Sequence, residues 1–135
     1  MNDSSKKVDM RYIYLSKEHN ELLTKMMERG SLAKKEDGIK LGVAIALFFD
    51  PLKELSQADH GKLTRSIKGV LNLNSADIDE DQEITGAMSI LTGDFTKNNY
   101  RRMMELSYIG LNILSEKYIN NEKLIDWEKL QGDMK

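Results

Sequence analysis

The sequence predicts a mainly α protein, a single-domain helical bundle around a central apolar helix, with a short N-terminal strand or extended arm. Three observations lead there. Leu41 to Phe49 is an almost unbroken apolar run, and a helix that is apolar all round belongs inside other elements. Apolar residues recur at helical spacing in much of the remaining chain, as in Leu22, Leu23, Met26 and Met27, or Met103, Met104, Leu111 and Leu114. Eight Met and a single Pro suit a helix-rich chain.

The 135 residues suffice for one domain with a real core and are too few for two. Residues 1–9 are polar and read as a flexible N-terminus, leaving 10–131 as the helical domain. Met10 to Leu15 is rich in β-formers and predicts the strand or arm. Ser16 is a good N-cap for a first helix, and Gly30 its stop. Ser31 is expected to cap the second helix, with Glu36 and Asp37 near its first turn. Gly42, Ala44 and Ala46 leave room for a close neighbour, and Asp50-Pro51 ends the helix.

Residues 52–59 read as a polar connection with room for one helical turn. A third helix should carry Leu63, Ile67, Val70 and Leu71. An acidic turn, Asn72 to Asp81, leads to a fourth helix with Ile84, Ala87, Met88 and Leu91, stopped by Gly93. A loop containing Phe95 precedes the longest helix, Tyr100 to Tyr118, capped by Asn98 or Asn99. Asn120-Asn121 breaks it, and a last helix from Glu122 to Leu130 bears Leu124, Trp127 and Leu130.

Composition narrows function. A net charge of −2 argues against a broad nucleic-acid-binding surface. Without cysteine there is no disulfide and no thiolate metal site. The longest apolar run is far short of the about 20 residues of a spanning helix. With no apolar signal core near the N-terminus, a cytoplasmic protein without membrane contact is expected.

Motifs for chemistry are missing. Asp77, Asp79 and Asp81 match the start of a calcium loop, but Gln82 and Met88 stand where Gly and Glu are needed. A solvated helix-capping turn is the better reading. His19 and His60 share no metal-ligand spacing, and both read as solvated. No phosphate-binding glycine loop or nucleophile elbow occurs. A non-enzymatic protein with no cofactor and no metal is therefore expected.

Basic clusters provide the binding candidates: Arg11 beside the strand, Lys34 and Lys35 before the apolar helix, and Arg101 and Arg102 on the long one. Two adjacent guanidiniums at a helix N-terminus oppose its dipole, which a partner carboxylate or phosphate would relieve. Lys62, Arg65 and Lys68 read as a solvated face.

The run Lys34-Lys35-Glu36-Asp37 followed by Val43-Ala44-Ile45-Ala46-Leu47-Phe48 stands out. So do the stretch from Ile84 to Asp94 and Tyr108-Ile109-Gly110-Leu111-Asn112-Ile113-Leu114. Together they resemble the small helical Dnd system-associated proteins, found beside the genes for DNA phosphorothioation. The layout departs from that family at Phe49-Asp50-Pro51. The resemblance implies an accessory or adaptor role in prokaryotic DNA modification or antiphage defence, through protein partners or DNA and without a reaction of its own. A homodimer is compatible with it, because Met and Tyr on the long helix suit either a core or a dimer face.

Two other readings compete. The strand-helix-helix order of residues 10–49 resembles a dimeric ribbon-helix-helix transcriptional regulator. Neither strand face, Met10, Tyr12, Tyr14 nor Arg11, Ile13, Leu15, offers the several polar groups that base reading needs. An enzyme with a convergent polar cleft would show close ionisable groups with displaced pKa values.

Overall fold

The computed structural model describes residues 12–63, 73–74, 78–79, 83–93 and 100–134. Their elements are β1 (Tyr12–Ile13), α1 (Lys17–Glu28), α2 (Lys35–Phe49), α3 (Gln57–Lys62), β2 (Leu73–Asn74), α4 (Glu83–Thr92), α5 (Tyr100–Lys117), β3 (Ile119–Asn120), β4 (Leu124–Ile125) and α6 (Trp127–Asp133). The fold is mainly α, as the periodicity predicts. The predicted flexible terminus, Arg11, the Asn98 or Asn99 cap, Phe95 and the third-helix residues Ile67, Val70 and Leu71 lie outside the described residues.

α1 starts and stops where its sequence says. The Ser16 hydroxyl accepts from the His19 amide at 3.1 Å. At the other end Gly30 has φ +78°, a left-handed conformation natural to glycine. Its amide donates to the Met27 carbonyl, and the Ser31 amide donates to that of Met26. This paired closure satisfies two orphaned carbonyls.

The predicted Ser31 cap does not form, because the helix does not start next to it. α2 begins later, at Lys35, and the Lys34 side chain in the capping position makes no cap hydrogen bond. Glu36 and Asp37 do occupy the first turn, where carboxylates favour the helix dipole.

α2 and α5 form the centre and run in opposite directions. Gly42 lies against Ser107, Gly110 and Leu111, whereas Pro51 beyond the end of α2 meets Arg102 near the start of α5. At the crossing a methyl group on Gly110 would overlap the Gly42 carbonyl oxygen. Gly42 thus allows the close approach expected of it.

The idea of an apolar rod from Leu41 to Phe49, wrapped on all sides, needs correction. Ile39, Val43, Ile45 and Ala46 are buried, but Ala44 is exposed and Phe48 is 50 % exposed. Ala44 and Phe48 lie four residues apart, so one face of α2 meets solvent, while α5 runs alongside as far as Pro51. The more fully enclosed helix is α5, whose residues from Leu106 to Leu111 are all buried. It touches α1, α2, α4, β1 and β3.

β1 pairs antiparallel with β2, Tyr12 opposite Asn74 and Ile13 opposite Leu73. The expected strand exists, and its partner belongs to the same chain. The predicted helix from Glu122 to Leu130 is instead a hairpin followed by α6. Ile119 pairs with Ile125, and Asn120 with Leu124. Asn120 Oδ1 accepts from the amides of Glu122 and Lys123, which bends the chain back. Asp126 then caps α6 by accepting from the Lys129 amide at 3.1 Å.

Candidate functional site

One polar constellation joins α1, α3 and α5. Tyr108 and Asn112 stand one helical turn apart on α5 and so share a face. The Tyr108 hydroxyl donates to Asp59 Oδ1 of α3 at 3.1 Å. Asn112 Oδ1 lies 2.8 Å from His19 Nε2 of α1. The His19 and Tyr108 rings pack at 4.7 Å between centroids, tilted by 55°.

His19 is thus not the solvated histidine that its sequence position suggested, since it is 3 % exposed. Ser16 turns the first coil of α1 so that position 19 faces inward, and Asn112 supplies the acceptor the ring needs. Burial pushes the imidazole below its usual pKa, while the Asn112 hydrogen bond acts in the opposite direction. Burial raises the Tyr108 hydroxyl; Asn112 works against this, and the bond to Asp59 adds to it. The His60 side chain lies outside the described residues.

Asp59, Tyr108 and Asn112, but not His19, border an open cleft of about 270 Å³, lined also by Lys53, Glu54, Lys62 and Glu116. Its carboxylates and ammoniums can pair with ions or hydrogen-bond to a polar ligand. His19 stands behind Asn112, with Nε2 engaged by it. Among the described residues, no three His, Asp or Glu side chains converge to hold a metal ion.

The acidic turn does cap a helix, through one residue. Asp79 Oδ1 accepts from the amides of Ile84 and Thr85 at 2.9 and 3.0 Å, and Oδ2 from the Thr85 hydroxyl at 2.7 Å. It is buried, so the turn is not solvated at this point. Asp77 and Asp81 lie outside the described residues.

The basic residues singled out in the sequence do not form one patch. Arg11 is outside the described residues. Lys34 is exposed at the start of α2, and Lys35 Nζ donates to Asn20 Oδ1 at 2.6 Å. Arg101 is exposed. Arg102 is tied inward: Nη1 donates to Glu105 Oε1 at 3.1 Å, and Nη2 to the carbonyls of Pro51 and Lys53 at 3.0 and 2.6 Å. The carboxylate relief expected from a partner therefore comes from Glu105 of the same helix. Arg102 sits past the C-terminus of α2 and Lys35 at its N-terminus, about 20 Å away at 1.5 Å per residue.

Nothing in the residue pattern marks the exposed apolar side chains near the ends of α2 and α4. Phe48, Leu52, Ile90 and Leu91 are 50, 67, 76 and 55 % exposed. Phe48 and Phe49 meet edge to face, 5.1 Å between centroids. Leu52 and Pro51 share a hollow of about 290 Å³ with Thr92, which brings the end of α4 beside the end of α2. Periodicity marks apolar residues as core and cannot tell which face of a helix its neighbours leave uncovered.

Among the described residues, no helix is long and apolar enough to cross a membrane. Comparison with known protein families, curated proteins and solved structures finds no match.

Proposed function

We propose that this chain is a non-enzymatic adaptor that binds a protein partner within a prokaryotic DNA-modification or antiphage-defence system. The supporting observation is the exposure of Phe48 and Leu52 at the end of α2 and of Ile90 and Leu91 near the end of α4, two helix ends that share a hollow at Leu52 and Thr92. Exposed large apolar side chains on neighbouring elements are a usual mark of a docking surface. The biological setting rests on the resemblance to the Dnd-associated family, carried by the Gly30 to Phe49 and Tyr108 to Leu114 stretches.

Direct DNA binding has less in its favour. Net charge is −2, Arg102 is spent on internal acceptors, and the lysine pair lies at the other end of α2. The ribbon-helix-helix reading is not adopted, because β1 pairs with β2 of its own chain. An enzyme reading has the Asp59–Tyr108–Asn112–His19 constellation in its favour, but the one imidazole in it is buried behind Asn112.

The test is co-purification with co-expressed phosphorothioation proteins. Wild type should be retained, and a Leu52→Asp, Ile90→Asp double variant of unchanged helix content should be lost. Equal retention of both would overturn the proposed surface. Salt-sensitive retardation of duplex DNA by the chain alone would favour the DNA reading instead.

A further inference from the structure

The strongest unexplained feature is His19, a titratable group sealed between helices. Its tautomer follows from its neighbours. Asn112 Oδ1 is an acceptor, so Nε2 carries the proton and donates to it. Nδ1 then holds a bare lone pair, and it is buried without a partner. A second proton would have to go onto Nδ1. It would create a cation whose new N–H has no acceptor, in a site shut off from water.

The surrounding charges do not rescue that cation. Glu18 on the same helix and Asp59 on α3 favour it, while Lys62 on α3 opposes it. Asp59 Oδ1 already accepts from Tyr108. From α5 the ring faces Tyr108 and Asn112, neither of which is negative. Among the described residues, no carboxylate forms an ion pair with the imidazole.

The consequence falls on one element. His19 is on the first turn of α1, and its contacts reach across to α5. α1 is otherwise held by buried Leu22, Leu23 and Met26, by the Lys35–Asn20 hydrogen bond, and at its far end by Arg29, whose Nη1 donates to the Glu122 carbonyl at 2.8 Å. To hydrate a protonated His19, the start of α1 must move away from Tyr108 and Asn112.

The geometry points to His19 as an acid-sensitive latch that holds α1 against α5. The device is independent of the proposed adaptor role. In neutral solution the latch is closed by one hydrogen bond and one ring contact. Acid opens it and exposes the faces of α1 and α5 that it covers.

The experiment follows the histidine and the helix together in the intact chain. Nuclear magnetic resonance reads the His19 ring proton as pH is lowered, assigned with a His60→Gln variant. Hydrogen exchange, corrected for its intrinsic pH dependence, reads the amides from Lys17 to Glu28. His19 should protonate below its ordinary pKa of 6.5. Protection of α1 should fall by up to about tenfold per pH unit below that value, the limit for one proton. Amides of α2 and α5 should keep their protection over the same range.

His19→Gln, which keeps a donor but does not titrate, should remove the α1 response. Asn112→Asp, which gives the cation a carboxylate, should reduce it, and this variant decides the matter if His19→Gln fails to fold. Titration of His19 at or above 6.5 would overturn the latch. So would equal acid loss in wild type and Asn112→Asp, or simultaneous loss from all helices.

Discussion

Gly110 presses its Cα onto the main chain of Gly42, leaving no space there for even a methyl group. The closest approach between α2 and α5 is therefore backbone on backbone. Each glycine weakens its own helix by about 1 kcal/mol relative to alanine. Burial of Val43, Ile39, Leu111 and Leu114 beside the crossing offsets that loss.

Gly110→Ala should therefore destabilise the fold by at least about 1–3 kcal/mol, because the obstruction is main chain that cannot rotate away. Gly86→Ala is the control, since nothing lies within 4 Å of the added methyl. It should stabilise by about 0.5–1 kcal/mol through helix propensity alone. Urea titration of both variants checks the opposite signs.

Asp79→Ala should cost about 2 kcal/mol or more, because it leaves two helix amides and the buried Thr85 hydroxyl without their acceptor. The loss should be concentrated in α4. Hydrogen exchange at Ile84 and Thr85 should accelerate more than at any amide in the middle of α5.

Ile45→Ala should cost about 2–5 kcal/mol, the range for emptying a closed core site. Ile45 is fully buried. Leu47→Ala should cost less, because Leu47 is only half-buried. Phe48→Ala should cost about 0.5–1.5 kcal/mol, the loss of a half-exposed ring and its contact with Phe49. Equal losses at all three positions would contradict the observed exposed face of α2.

Tyr118 should ionise well above the usual tyrosine range. Its hydroxyl donates to Asp133 Oδ2 at 2.7 Å, which with burial raises its pKa to about 12 from the usual 10.0. The ring is buried, but the hydroxyl reaches an exposed carboxylate, so the shift should be sensitive to salt. A raised pKa means the folded form holds this proton more tightly than the unfolded one. The resulting stabilisation is complete below pH 10 and disappears as pH rises through about 12. Spectrophotometric titration of tyrosinate should show that Asp133→Asn brings the Tyr118 transition down.

Local chemistry was readable wherever one residue decides the outcome. Ser16, Gly30 and the spacing of Met103, Met104 and Leu111 mark their elements because caps, left-handed turns and helical stripes act within a few positions. The burial of His19 is not legible locally, because its partner, Asn112, is 93 positions away. No local signal says that a polar residue at a helix start will be covered. The hairpin after α5 was hidden because Leu124, Trp127 and Leu130 are also spaced as on a helix. What makes it a hairpin is the pair of bonds to Asn120 Oδ1 and the positive φ of Leu124, 68°. Arg102 looked like an invitation to a partner because its carbonyl acceptors lie in a distant segment.

The backbone contact between Gly42 and Gly110 joins residues half a chain apart, and the β1–β2 pairing also spans a long loop. Closing such loops costs entropy before any contact compensates. During synthesis α1 and α2 leave the ribosome long before α5 exists to cover them. The apolar face of α2 then waits uncovered, so this chain should depend on chaperones until its second half has emerged.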